Sequence, residues 1–241
     1  MYILYTIKLL SLKDLRMKSN SFEPPIKKEL EKKSPDELTI LFMDRIYQQN
    51  LKLIEGIEYL IDEDFENFEI NLKYVIKTKT EVEIKKTFEA KLWKKRTVFA
   101  KADRLKVFGK INDIKNIGEF MANRLLLYKV VFPDEKFKLR IKNILKSLKI
   151  ICGNLSEAVK LIGSDLVKAY DICEIVKDER RKMRKEEFEL LQRLYNYSMD
   201  YLSRTFLYLK NMIEDIMMMA DHIKHFSEYI QFLATKYLIF K

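Results

Sequence analysis

Apolar residues recur at helical spacing in six long stretches of this chain, each closed by a short polar break. The first begins at Ser34-Pro35-Asp36-Glu37. Ser34 suits an N-cap, Pro35 fits the first turn, and Glu37 stands three residues after Ser34, as a capping box requires. Leu38, Leu41, Ile46, Leu53, Ile54 and Leu60 mark its inward stripe, and Asp62-Glu63-Asp64 ends it. The second stretch runs from Phe65 to about Trp93 through Phe68, Leu72, Val75, Ile76, Val82, Ile84 and Phe88. A basic connection, Lys94 to Lys101, leads into the third. That one runs from about Ala102 to Val131 through Leu105, Phe108, Ile111, Ile114, Ile117, Met121 and Leu125.

Phe132-Pro133-Asp134-Glu135 reads as a stop followed by a start. The fourth stretch runs from Pro133 to about Ile162, through Phe137, Ile141, Leu145, Leu148, Ile151, Leu155 and Val159. Gly163-Ser164-Asp165 ends it and caps the fifth, Leu166 to about Tyr195. The sixth runs from about Tyr197 to Tyr237, with Leu202, Leu209, Ile213, Ile216, Ala220, Ile223, Ile230 and Leu233 facing inward. Helices this long, joined by short breaks, predict an all-α antiparallel bundle. Residues 34–132 and 133–241 carry three helices each, as a tandem duplication would give, and together predict one compact domain. Residues 1–33, with Pro24-Pro25, read as an N-terminal arm.

The duplication extends to a polar motif. Ile111-Asn112-Asp113-Ile114 runs on to Gly118-Glu119, and Ile213-Glu214-Asp215-Ile216 runs on to Ala220-Asp221. A polar cluster at one phase of an apolar helix is a candidate site, and two copies suggest a related pair.

Composition narrows the class. With 241 residues, 48% hydrophobic and 34% charged, the chain is globular rather than disordered. Only 5 Gly and 4 Pro argue for few turns and long elements. Cys152 and Cys173 make no disulfide framework, which favours a reduced intracellular setting. The formal net charge of +10 favours anionic partners: nucleic acid, an anionic membrane face or phosphate-rich ligands. The densest basic runs are Lys94-Lys95-Arg96 and Arg180-Arg181-Lys182-Met183-Arg184-Lys185. Glu186-Glu187 follows the second at once, so it predicts a zwitterionic exposed face. No basic patch interleaved with aromatics stands out. The uncharged run Met1 to Ile7 is too short to span a membrane and lacks the basic flank of a signal peptide, and Met17 is an alternative start. The two histidines, His222 and His225, share one stretch, and no GxxxxGK[ST] or GxGxxG loop occurs. These features indicate no enzyme chemistry.

The chain resembles the PhoU-like proteins, and more closely the phosphate transport regulators that are distant relatives of PhoU. Glu81-Val82-Glu83-Ile84-Lys85-Lys86 is similar to that family's Glu-Ala-Asp-Glu-Ile-Lys segment. Phe99 and Asp103-Arg104 resemble its connection before the third helix, and Ile111 to Leu127 with Pro133 follows its next helices. Ile213-Glu214-Asp215-Ile216 and Ala220-Asp221-His222 resemble pieces of its Glu-x-x-x-Asp-His-Ala signature. The resemblance covers most of residues 35–241. It implies two tandem three-helix bundles and a non-enzymatic regulator or accessory protein of phosphate transport at the cytoplasmic membrane face. A phosphate transporter or other membrane protein is then the partner, with an anionic membrane surface or a second copy of the chain as further partners.

Some PhoU proteins hold iron or zinc through paired Glu/Asp-x-x-x-Asp motifs, since residues four apart stack on one helix face. This chain departs from that pattern. Asn112 and Asn116 stand in the first copy, Met217-Met218-Met219 fills the centre of the second, and Arg180 puts a cation where the family has an acid. An intact metal cluster is therefore not expected. A remnant divalent or iron-type site would use Glu214, Asp221 and His225 on one face of the sixth helix, with Glu81, Glu83, Asp113 and Glu119 as weaker candidates. The plainer alternative is that these groups are solvated or paired with lysines. His222 is offset from that face, the methionines suit core filling, and Trp93 and the tyrosines suit core and bundle-end packing. Two other functions remain open: a basic helical protein that binds nucleic acid, and a dimerisation module whose Phe232, Tyr237 and Phe240 pack on a second chain.

Overall fold

A computed structural model of the chain describes residues 27–77, 81–94, 100–128, 130–197 and 204–239. All elements among the described residues are helical: α1 Lys27–Leu30, α2 Pro35–Ile61, α3 Phe65–Lys77, α4 Glu81–Lys94, α5 Lys101–Leu127, α6 Glu135–Leu161, α7 Leu166–Tyr197 and α8 Arg204–Ile239. The second predicted stretch is thus described as two helices, α3 and α4. The N-terminal arm lies almost wholly outside the described residues, as do Lys95 and Arg96 of the first basic run.

Local sequence sets the helix ends. Ser34 and Glu37 form the expected capping box: the Glu37 amide donates to Ser34 Oγ at 3.2 Å, and the Ser34 amide donates to Glu37 Oε2 at 2.6 Å. α2 stops where Glu63 takes a left-handed φ of 63°, and the next residue, Asp64, accepts the Asn67 amide at the head of α3. Asp134 caps α6 by accepting the Phe137 amide at 2.6 Å, and Asp165 does the same for Lys168 of α7 at 3.0 Å.

α2, α3, α4 and α5 make the first bundle; α6, α7 and α8 make the second. The bundles join first helix to first helix and last to last, α2 on α6 and α5 on α8. Their buried apolar residues form one continuous cluster. The predicted stripes lie in it: Phe137, Ile141, Leu145, Leu148, Ile151, Leu155 and Val159 of α6 are all buried. So are Leu209, Ile213, Ile216, Ala220, Ile223, Ile230 and Leu233 of α8, with Met217 and Met219 beside them as core filling. Two glycines permit close approach. A Cβ on Gly56 would stand 2.9 Å from Leu72, so α3 could not sit as near to α2. One on Gly118 would stand 3.4 Å from Asn50 of α2 and 3.5 Å from Met219 of α8.

Three expectations need correction. Trp93 is 65% exposed, and its ring lies 5.3 Å from Lys101 Nζ, because α4 turns that face away from α2. Val82 and Leu105, named in the second and third apolar stripes, are exposed too. Tyr237, assigned to a second chain, is used within this one: it donates to Asp103 Oδ2 at 2.6 Å and accepts the Ala100 amide at 2.9 Å. Tyr229 and Lys236 donate to the same carboxylate at 3.0 and 2.7 Å, which ties the end of α8 to the start of α5. Burial pushes Asp103 up, but these donors outweigh it and hold the carboxyl below its usual range. Phe232 is exposed, and Phe240 lies outside the described residues.

Candidate functional site

The candidate site occupies the middle of α8 where α7 crosses it. Glu214 is exposed and pairs with Lys210 one turn earlier, at 2.5 Å. Asp221 faces α7 and holds Arg180 side-on: Arg180 Nε donates to Oδ1 at 2.9 Å and Nη2 donates to Oδ2 at 3.0 Å. His225 and His222 are both exposed. The three residues proposed as ligands therefore share a helix, but two carboxylates already hold cations of the chain itself.

Arg180 is the unforeseen member. Its side chain is 4% exposed although it opens the densest basic run, because that position of α7 faces α8. A bidentate guanidinium–carboxylate pair satisfies one edge of the fork. Glu187 Oε2 lies 3.7 Å from Nη2, one further ion pair. Burial pushes Glu187 above the usual carboxylate range, and Arg180 opposes that shift. Nη1, on the other side of the guanidinium, has no hydrogen-bond partner among the described residues. The basic run is thus not one exposed face: Arg180 and Met183 are buried, while Arg181 pairs with Asp178 and Lys182 with Glu179.

Asp215, beside Glu214 in the motif, points into the core and is 6% exposed. Burial raises its carboxyl to about 6. Arg124 of α5 donates to both oxygens, at 3.0 and 3.3 Å, yet does not reverse the shift. One nitrogen serves both oxygens, Arg124 is itself 29% exposed, and Glu214 adds like charge. Asp215 stands about 100° round the helix from Ile216, off the apolar stripe, so spacing alone does not mark it as inward-facing.

The first copy is arranged differently. Asp113 and Asn116 are exposed, and Asn112 is half-buried. Glu119 pairs with Lys115 at 2.8 Å within α5, and Glu83 pairs with Lys86 at 3.3 Å within α4. The Glu81 side chain lies outside the described residues.

Among the described residues no three His, Cys, Asp or Glu side chains converge as a metal site. The donor set does not fit a resident metal either: where paired carboxylates would hold one, the Arg180 guanidinium already lies against Asp221. Cys152 and Cys173 are buried free thiols, pushed up to about 12 by burial, and poor ligands in that state. No helix among the described residues is long and apolar enough to cross a membrane.

No protein-family profile matches the sequence, and no curated protein matches it. Solved structures do. One is of a candidate PhoU-like phosphate regulatory protein from Shewanella oneidensis MR-1, another of a PhoU-like protein from the same organism. Each superposes with a TM-score of 0.71 over 84% of this chain and 100% of the other, at 12% sequence identity. The long helices, their order and their pairing across the two halves are therefore those of the PhoU-like fold.

Proposed function

We propose that this protein is a non-enzymatic, PhoU-like regulator or accessory protein of phosphate transport. It would act in the cytoplasm, at the inner face of the membrane, through a phosphate transporter. One observation carries this reading: the fold corresponds to that of a candidate phosphate regulatory protein over that protein's whole length. Two features agree with it. The clustered polar residues of α8 are engaged in ion pairs rather than poised around a substrate, and the excess positive charge suits an anionic leaflet.

The test is phosphate uptake in cells that lack the protein, at limiting and at excess phosphate. Altered uptake, restored by a plasmid-borne copy, is the expected result. Unchanged uptake in both conditions would overturn the proposal.

A further inference from the structure

A groove of about 810 Å³ runs beside the Arg180–Asp221 pair, between α7 and α8. Six of its lining side chains are cations, Lys177, Arg180, Arg181, Arg184, Lys185 and Lys224, against two carboxylates, Glu189 and Glu228. Four of the cations have partners inside the protein: Arg180 with Asp221 at 2.9 Å, Lys177 with Glu174 at 2.7 Å, Arg181 with Asp178 at 2.7 Å and Lys224 with Glu228 at 3.0 Å. Arg184 and Lys185 are exposed and make no hydrogen bond or ion pair among the described residues. Arg180 lines the groove too, although its side chain is only 4% exposed and Asp221 holds it in place.

We propose that this groove binds a soluble phosphate-class oxyanion carrying two or more negative charges, such as an oligophosphate. Arg180 contributes a fixed positive charge at the floor, and Arg184 and Lys185 contact the ligand and neutralise its charge at the rim. A monocarboxylate would satisfy one fork and leave the rest of the cations unmatched. Phosphate groups carry more charge and more acceptor oxygens apiece, and they accept from both forks and ammonium groups. Asp221 is the positioning residue, since its two hydrogen bonds hold the Arg180 guanidinium at the floor of the groove. The site stands on this geometry and is independent of any role in transport.

Isothermal titration of the full chain with inorganic phosphate, pyrophosphate and tripolyphosphate tests it. Affinity should rise with ligand charge. Arg184→Gln/Lys185→Gln, both exposed, should weaken tripolyphosphate binding roughly tenfold or more, as expected for two lost charge-assisted contacts. The charge-matched variant Lys149→Gln/Lys168→Gln, also exposed but outside the groove, should bind within about twofold of the parent, since rim charges elsewhere contribute little. Arg180→Gln/Asp221→Asn keeps a neutral hydrogen-bonding pair and should also weaken binding; its melting curve shows whether it is folded. Equal losses in the groove and control variants would mean diffuse electrostatics and would overturn the proposal. So would binding only to vesicles containing phosphatidylglycerol, which would identify the face as a membrane surface instead.

Discussion

The Arg180–Asp221 pair is asymmetric, and the asymmetry can be measured. Arg180 is 4% exposed and Asp221 36% exposed. Removing the acid strands a buried cation; removing the cation leaves an acid that water can reach. For Asp221→Asn, an uncompensated buried charge costs about 3–5 kcal/mol. Glu187 at 3.7 Å compensates in part, and an amide oxygen can still accept one hydrogen bond, so about 2–3 kcal/mol is expected. For Arg180→Met, the apolar stem is kept, the desolvation of a guanidinium is removed, and Asp221 rehydrates. The expected cost is about 0–1 kcal/mol. Urea unfolding at neutral pH reads both, provided the slopes match the parent's. The reasoning fails if Arg180→Met costs as much as Asp221→Asn. That result would mean the arginine contributes through packing or through bonds to Asp221 rather than sitting as a charge that needs its partner.

Two further outcomes follow from buried titratable groups. Asp215 has its carboxyl raised to about 6 from the usual 3.8, so its contribution to stability is present below about pH 4 and is lost as pH rises through 6. The full linkage is about 3 kcal/mol and coupling to Arg124 reduces it, so the stability of Asp215→Asn relative to the parent should rise by about 1–3 kcal/mol from pH 4 to pH 8. Unfolding curves at several pH values measure this, and a pH-independent difference would refute it. Cys152 and Cys173 should resist a thiol reagent at pH 8 in the native protein and both react in urea, because burial raises each to about 12. Rapid labelling of either thiol without denaturant would contradict their placement in the core.

Most of the fold was legible because the helical period leaves its mark in apolar spacing. The α6 stripe from Phe137 to Val159 is buried at every named position, and the Ser34–Glu37 box forms where its short motif puts it, while α6 starts at Glu135 behind an Asp134 cap rather than at Pro133. Interactions within one helix were equally legible, as at Lys210–Glu214 and Lys115–Glu119. Interactions between helices were not. Arg180 has Asp178 and Glu187 near it in sequence, and only the register of α7 on α8 selects Asp221. Tyr237 looked like a free aromatic tail because its acceptor, Asp103, lies at the start of α5, far away along the chain. Trp93 misled for a related reason: a large apolar side chain was assigned to the core on composition, while the α4 stripe that reaches it is Ile84, Phe88 and Leu92.

The two polar motifs are engaged differently in the two bundles. In α5 the carboxylate of Glu119 is closed off by a lysine of its own helix, and Asp113 meets solvent. Neither joins one helix to another. In α8 the matching positions reach across: Asp215 takes Arg124 from α5, and Asp221 takes Arg180 from α7. Each such pair buries charge that an apolar pair would bury at less cost, so neither is explained by stability alone. Asp215 keeps an acid within reach of physiological pH, and Asp221 holds a buried guanidinium beside a basic groove. A duplicated scaffold that needed only to fold could have lost both, as the first copy has. The α7–α8 face is therefore where mutation should separate binding from folding: its rim cations Arg184 and Lys185 are exposed and dispensable to the core, yet they lie beside the buried guanidinium that Asp221 fixes in place.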